Sequence, residues 1–199
     1  MMRHFLRFFG WIFSLACILG AIGAALVGIV IWRFSEQLPD YSQLATYQPA
    51  VTTRIHAADG SLLAEYSRER RLFLPNDAIP ERVKQAFIAA EDKNFYKHPG
   101  VDIEGVARAA VYFFKRDSGK RPQGASTITQ QVAKNFLLSS ETSFARKIKE
   151  MLVALRIEEA YSKERILELY LNEIYLGLSN YGVAAAALNY FGKAVNELT

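Results

Sequence analysis

Cysteine is nearly absent from this chain. Only Cys17 occurs among its 199 residues, inside an uncharged run near the N-terminus, so an intrachain disulfide is excluded and no thiol serves chemistry further along. Histidine is scarce as well. His56 stands on a predicted edge strand with no second His or Cys beside it, which reads as a solvent-facing side chain and not as a zinc ligand. Blocks of like charge are missing. The net charge of +4 comes from Lys and Arg spread among acids; that suits an anionic membrane surface or a phosphate-bearing substrate and gives no call for nucleic acid. Internal repeats and low-complexity tracts are absent too.

Apolar residues are in excess. They make up 51% of the chain, high for a purely soluble protein. Much of the excess is local: Phe8 to Trp32 is 25 residues without a charged side chain, enough for a helix to cross a hydrocarbon core of roughly 30 Å with some tilt. A cleaved signal peptide is the alternative, but its apolar region is usually shorter, about 7 to 15 residues, so an uncleaved transmembrane anchor is expected. Arg3, His4 and Arg7 precede the run, whereas Arg33 is followed by Glu36 and Asp40. That bias places the N-terminus in the cytoplasm and the rest of the chain outside the cytoplasmic membrane, on its periplasmic side. The expected division is a cytoplasmic tail (1–7), a transmembrane helix (8–32), a connector with a short β-hairpin around Asp59-Gly60 (33–75), and a mainly helical domain (76–199).

Polar chemistry concentrates at Glu91-Asp92-Lys93-Asn94-Phe95-Tyr96-Lys97-His98-Pro99-Gly100. Upstream, Val83, Ala86, Phe87 and Ala90 recur at helical spacing, which predicts a buried stripe with Glu91 on its edge. A carboxylate half out of water tends to a raised pKa and suits proton transfer near neutral pH. The competing reading is a helix-end residue paired with Lys93 or Lys97. Asp102 is expected to cap a core helix carrying Ile103, Val106, Ala107, Ala110 and Phe114. A basic Gly/Pro loop from Lys115 to Gly124 follows, and Ser126 is expected to cap a helix with Ile128, Val132 and Phe136 buried. Gln130, Gln131 and Lys134 lie near that helix start, where unpaired N–H groups favour an anion; a capped surface helix would look the same. The next helix is predicted to bury Phe144, Ile148, Leu152 and Leu155. On its other faces Arg146, Lys147 and Glu150 form either surface salt bridges or a cation pair beside an anionic leaving group, with Glu150 ordering the cations or binding a divalent metal.

Taken in order, Glu91-Asp92-x-x-Phe95-x-x-His98-x-Gly100, Gly124-x-Ser126-Thr127-Ile128-x-Gln130-Gln131, Arg146-Lys147-x-x-Glu150 and Ile166-Leu167-Glu168-x-Tyr170-Leu171-Asn172 resemble the motifs of peptidoglycan glycosyltransferases. The anchor and hairpin are similar to the N-terminal arrangement of class A penicillin-binding proteins. The resemblance covers roughly residues 70 to 199 and implies a mainly α, lysozyme-like glycosyltransferase domain that polymerises lipid II into a growing glycan strand, with inversion and release of undecaprenyl diphosphate. It implies Glu91 as general base. Ser126, Gln130, Gln131, Lys134, Arg146, Lys147 and Asn172 would bind substrate or its diphosphate, with Asp92, Phe95, His98, Gly124 and Thr127 in support. Glu150 would order the cations or hold a divalent cation, Mg2+ or Mn2+. Cell-wall synthesis proteins are the implied partners besides the bilayer. Members of the family continue with further helices and, in the bifunctional class, a transpeptidase domain, so this chain is expected to be an N-terminal fragment; no Ser-x-x-Lys motif follows residue 100. A lysozyme-like enzyme cleaving peptidoglycan and a non-catalytic anchored scaffold are the alternatives.

Overall fold

The computed structural model describes residues 2–36, 38–45, 47, 53–66, 70–115, 126–138 and 143–198. Helix dominates, as the periodicity predicts. Two compact units divide the chain, Met1–Leu38 and Pro39–Thr199. The first contains a single described helix, α1 (Met2–Ser35), whose stretch Gly10–Ser35 has a mean hydropathy of 2.5 with no residue buried. It is long and apolar enough to cross a membrane, and its exposed Trp11, Leu15, Leu19 and Leu26 would be costly to leave in water.

The second unit opens with a single turn, Tyr41–Leu44, capped by the Asp40 carboxylate, which accepts from the Ser42 N–H at 2.8 Å. The polar, turn-rich composition here predicts a simple spacer. Instead Leu44 is 1% exposed, Arg165 donates to its carbonyl at 3.1 Å, and Tyr161 donates to the Tyr41 carbonyl at 3.0 Å. One buried leucine and two backbone acceptors convert the spacer into a docked segment. A hairpin of β1 (Thr53–His56) and β2 (Leu62–Tyr66) follows. It turns through Asp59-Gly60 as expected, with Gly60 at φ +83°. Two further strands, β3 (Arg70–Arg71) and β4 (Asn180–Tyr181), pair in parallel, a ladder too short for any periodicity to announce.

Among the described residues, six α-helices follow: α2 (Glu81–Glu91), α3 (Ile103–Lys115), α4 (Ile128–Leu137), α5 (Phe144–Ala160), α6 (Lys163–Glu173) and α7 (Val183–Phe191). Helix α4 packs on both α5 and α6. Its Ile128 and Val132 meet a core that includes Val153, Ile157, Ile166 and Leu169, all 1% exposed or less. Every residue of α6 from Ile166 to Glu173 is buried, so this short helix is the central post. Ala184 to Ala187 of α7 are buried as well, the close packing that small side chains permit, and Gly192 ends that helix in the left-handed region.

Three predicted stripes are placed differently by the structure. On α2 the buried positions are Lys84 and Ile88, whereas Val83 and Phe87 are half-buried and Ala86, Ala90 and Glu91 exposed. On α3, capped by Asp102, Ile103 is 75% exposed and Val106 41%; the side chains of Ala110 and Phe114 lie outside the described residues. On α5 the buried line is Glu150, Val153, Ala154 and Ile157, while Phe144 is 83% exposed. Apolar periodicity reveals a face but not what covers it. On α5 the winning face carries a carboxylate because two cations of the same helix neutralise it.

Candidate active site

Glu91 is the last residue of α2, and its carboxylate Oε2 accepts from Gln131 Nε2 of α4 at 2.8 Å. It is exposed, so the half-desolvated carboxylate that the sequence predicts is not found. Its neighbour Asp92 turns the opposite way and is 5% exposed. Asp92 accepts from the Ile128 N–H at 3.1 Å and from His98 Nε2 at 2.9 Å. The Gly100 N–H points at His98 Nδ1 at 3.2 Å; Nδ1 therefore accepts, and Nε2 carries the proton that goes to Asp92.

The loop after Glu91 is closed from the other side by Thr127, whose hydroxyl donates to the Gly100 carbonyl at 2.6 Å. Gly100 adopts φ +94°, and a Cβ there would stand 2.7 Å from the Ala154 carbonyl oxygen. Only glycine fits this turn and this approach. Phe95, fully buried, lies under the Lys163 ammonium, 4.5 Å from its ring centroid. Lys163 also donates to the His98 carbonyl at 2.8 Å and pairs with Glu158 at 2.7 Å, while the Thr129 hydroxyl donates to Glu158 at 2.5 Å. This outer ring of Lys163, Glu158 and Thr129 was not legible beforehand, because no spacing rule links a lysine at a helix start to a loop some sixty residues earlier.

Helix α4 begins one residue later than predicted. Thr127, not Ser126, is its N-cap: the Thr127 hydroxyl accepts from the Gln130 N–H at 3.1 Å, and the Gln130 side-chain carbonyl accepts from the Thr127 N–H at 3.0 Å. Gln130 is thus 2% exposed and occupied in a capping box, which removes it from the substrate-binding set. Ser126 turns to α5 and accepts from Lys147 Nζ at 2.8 Å. Lys147 also pairs with Glu150 at 2.8 Å, and Arg146 Nε lies 3.0 Å from the other Glu150 oxygen. Lys134, two turns into α4, is exposed. Gly124 and the basic loop lie outside the described residues.

Asn172 is also corrected. It is 3% exposed; its amide donates to the Leu74 and Glu168 carbonyls at 2.8 Å each, and its side-chain oxygen accepts from the Leu74 N–H at 2.8 Å. With its hydrogen-bonding capacity used in this way it braces residues 72–76 against α6. Nearer the site, burial and then the Glu91 charge push the Tyr170 hydroxyl above its ordinary value, and the Tyr170 ring meets Phe87 edge-on, centroids 6.1 Å apart.

A resident divalent cation at Glu150 does not fit these donors. Both carboxylate oxygens face cations of the protein, and among the described residues no three His, Cys, Asp or Glu side chains gather. An incoming metal would have to displace a guanidinium and an ammonium from a buried carboxylate. What the arrangement offers is an exposed carboxylate on α2 and a cationic pair on α5, both tied by side-chain bonds to the start of α4. Ser126 and Gln131 flank the start of α4, so the Glu91 carboxylate and the α5 cations are both attached at that end of the helix.

Comparison with known proteins places these residues in context. A family model described as Transglycosylase matches residues 59–199. Penicillin-binding protein 1A of Rickettsia felis is 53% identical over 179 residues, 89% of this chain and 23% of that protein. The protein of the same name from Rickettsia bellii is 52% identical over 187 residues, 94% of this chain and 24% of the relative. That from Neisseria meningitidis serogroup A is 50% identical over 191 residues, 96% and 23% respectively. The chain therefore spans about a quarter of the length of these curated relatives.

Proposed function

The chain belongs to the transglycosylase family, and from that premise we propose that it is a membrane-anchored peptidoglycan glycosyltransferase acting on lipid II. The observation that carries the proposal is the attachment of Glu91 and of the Arg146, Lys147 and Glu150 row to the two sides of one helix start. Glu91 takes the proton from the 4-hydroxyl of the acceptor sugar as that oxygen attacks C1 of the donor. The bond from C1 to the diphosphate breaks with inversion, and undecaprenyl diphosphate departs. Negative charge grows on the leaving oxygens, where Lys147, Arg146 and the exposed Lys134 stabilise it. Glu150 holds the two α5 cations in place without cancelling them, since one carboxylate faces two positive groups. Asp92 and His98 keep the loop rigid and take no part in proton transfer.

Helix α1 keeps the domain at the membrane that holds its lipid-linked substrate. The arginines before the apolar run support an orientation with the N-terminus in the cytoplasm and the catalytic unit outside. Labelled lipid II supplied to the chain in detergent with Mg2+ tests the reading. Glycan polymer and free undecaprenyl diphosphate are the expected products. Breakdown of finished strands with no consumption of lipid II would overturn it in favour of glycan cleavage, and lipid II capture with no turnover would overturn it in favour of a scaffold.

A further inference from the structure

Building on the glycosyl-transfer reading, we propose that Gln131 is a positioning residue for Glu91: its amide fixes the carboxylate through Oε2, leaving Oε1 to receive the acceptor's proton. The sequence grouped Gln131 with the diphosphate-binding residues, and the 2.8 Å bond to Glu91 points elsewhere. Glu91 is exposed at a helix end, so packing does not select its rotamer. A glutamate in that setting has three side-chain torsions to lose before it can act in one orientation. Gln131 is well placed to select one. Its backbone lies next to the Thr127 and Gln130 capping box, and its N–H donates to the Thr127 carbonyl at 3.0 Å.

Adjacent side chains on α2 and its cap thus grip the same turn of α4. Asp92 holds the Ile128 N–H, and Glu91 is held by Gln131 one turn on. Because Asp92 is buried and bonded to the Ile128 N–H, the end of α2 that carries Glu91 is tied to the turn of α4 that carries Gln131. Among the described residues, the Tyr170 hydroxyl of α6 feels the Glu91 charge, and Lys93 and Lys134 are exposed. Asp92 faces away, toward His98.

Two variants, Gln131→Met and Gln131→Glu, test this in the full chain. Met keeps the length and removes the donor; Glu keeps the shape and adds a like charge. The Gln131 side-chain amide is followed by 15N–1H NMR in the parent and in Glu91→Ala, which removes the acceptor. The expected result is a displaced Gln131 side-chain amide signal with the backbone signals of α4 in place. In polymerisation, kcat should fall about ten- to a hundredfold for Gln131→Met and further for Gln131→Glu, with KM for lipid II changed less than about twofold. An unmoved Gln131 amide signal in Glu91→Ala overturns the proposal, as does a raised KM with kcat unchanged, which would return Gln131 to the diphosphate. The NMR measurement needs no substrate, so a parent chain that makes no polymer refutes the glycosyl-transfer reading while the bond between Gln131 and Glu91 is still judged.

Discussion

At the scale of single residues, the site separates adjacent carboxylates into different jobs by direction alone. Glu91 faces water and one amide; Asp92 is buried against an imidazole and a helix N–H. Removing Asp92 leaves the Ile128 N–H and the His98 N–H buried without their acceptor, so Asp92→Ala should lower stability by about 3 kcal/mol in urea unfolding monitored by circular dichroism. Gly100→Ala should be destabilising too, by more than about 2 kcal/mol, because a Cβ meets the Ala154 carbonyl and the φ value is one that alanine rarely adopts. The same unfolding measurement checks it. Asp92, His98 and Gly100 stood out in the sequence through their motif, whereas their hydrogen-bonded ring did not, since its members Thr127 and Ile128 come from a helix some thirty residues later.

Among the elements, helix starts were the most legible feature. Ser143 and Ser162 cap α5 and α6 through bonds to the Arg146 and Arg165 N–H groups, as small hydroxyl residues before apolar periodicity predict. Buried faces were less legible, because α5 buries the side that carries Glu150 and α3 leaves Ile103 and Val106 exposed. Asp102 caps α3 by accepting from the Gly105 N–H at 2.9 Å, and that bond chiefly holds its carboxyl below the usual range, against the opposing effect of burial. A depressed value in the folded state means that this contribution is present above the ordinary carboxylate pKa of about 4 and is lost as pH falls through the folded one. Asp102→Ala should cost about 1 kcal/mol. The Gly105 amide shift should titrate at acid pH in the parent and stay flat in the variant.

Across the second unit, the segment before α2 is part of the structure and not a leash. Leu44 is buried, Tyr47 and Arg71 both donate to Glu173 of α6, Arg71 also covers the Tyr181 ring at 4.4 Å, and Asn172 and Glu168 hold the backbone of Leu74 and Asn76. None of this was readable from sequence, since polar residues that dock and polar residues that merely float have the same composition. Glu173→Leu removes the shared acceptor and should release the segment. Hydrogen exchange should accelerate in peptides spanning 41–47 and 70–76 while the Ile128 to Val132 core stays protected; unchanged exchange in those peptides would contradict the latch.

The central claim concerns Glu91, and it rests on a residue that is exposed and contributes little to the core, so chemistry and folding can be separated there. The most direct measurement is lipid II polymerisation by the parent chain and by Glu91→Gln, with helix content and thermal midpoint recorded for both. The account predicts polymer from the parent alone, with the two proteins indistinguishable in helix content and within a few degrees in midpoint. Polymer from Glu91→Gln at the parent's rate would contradict it.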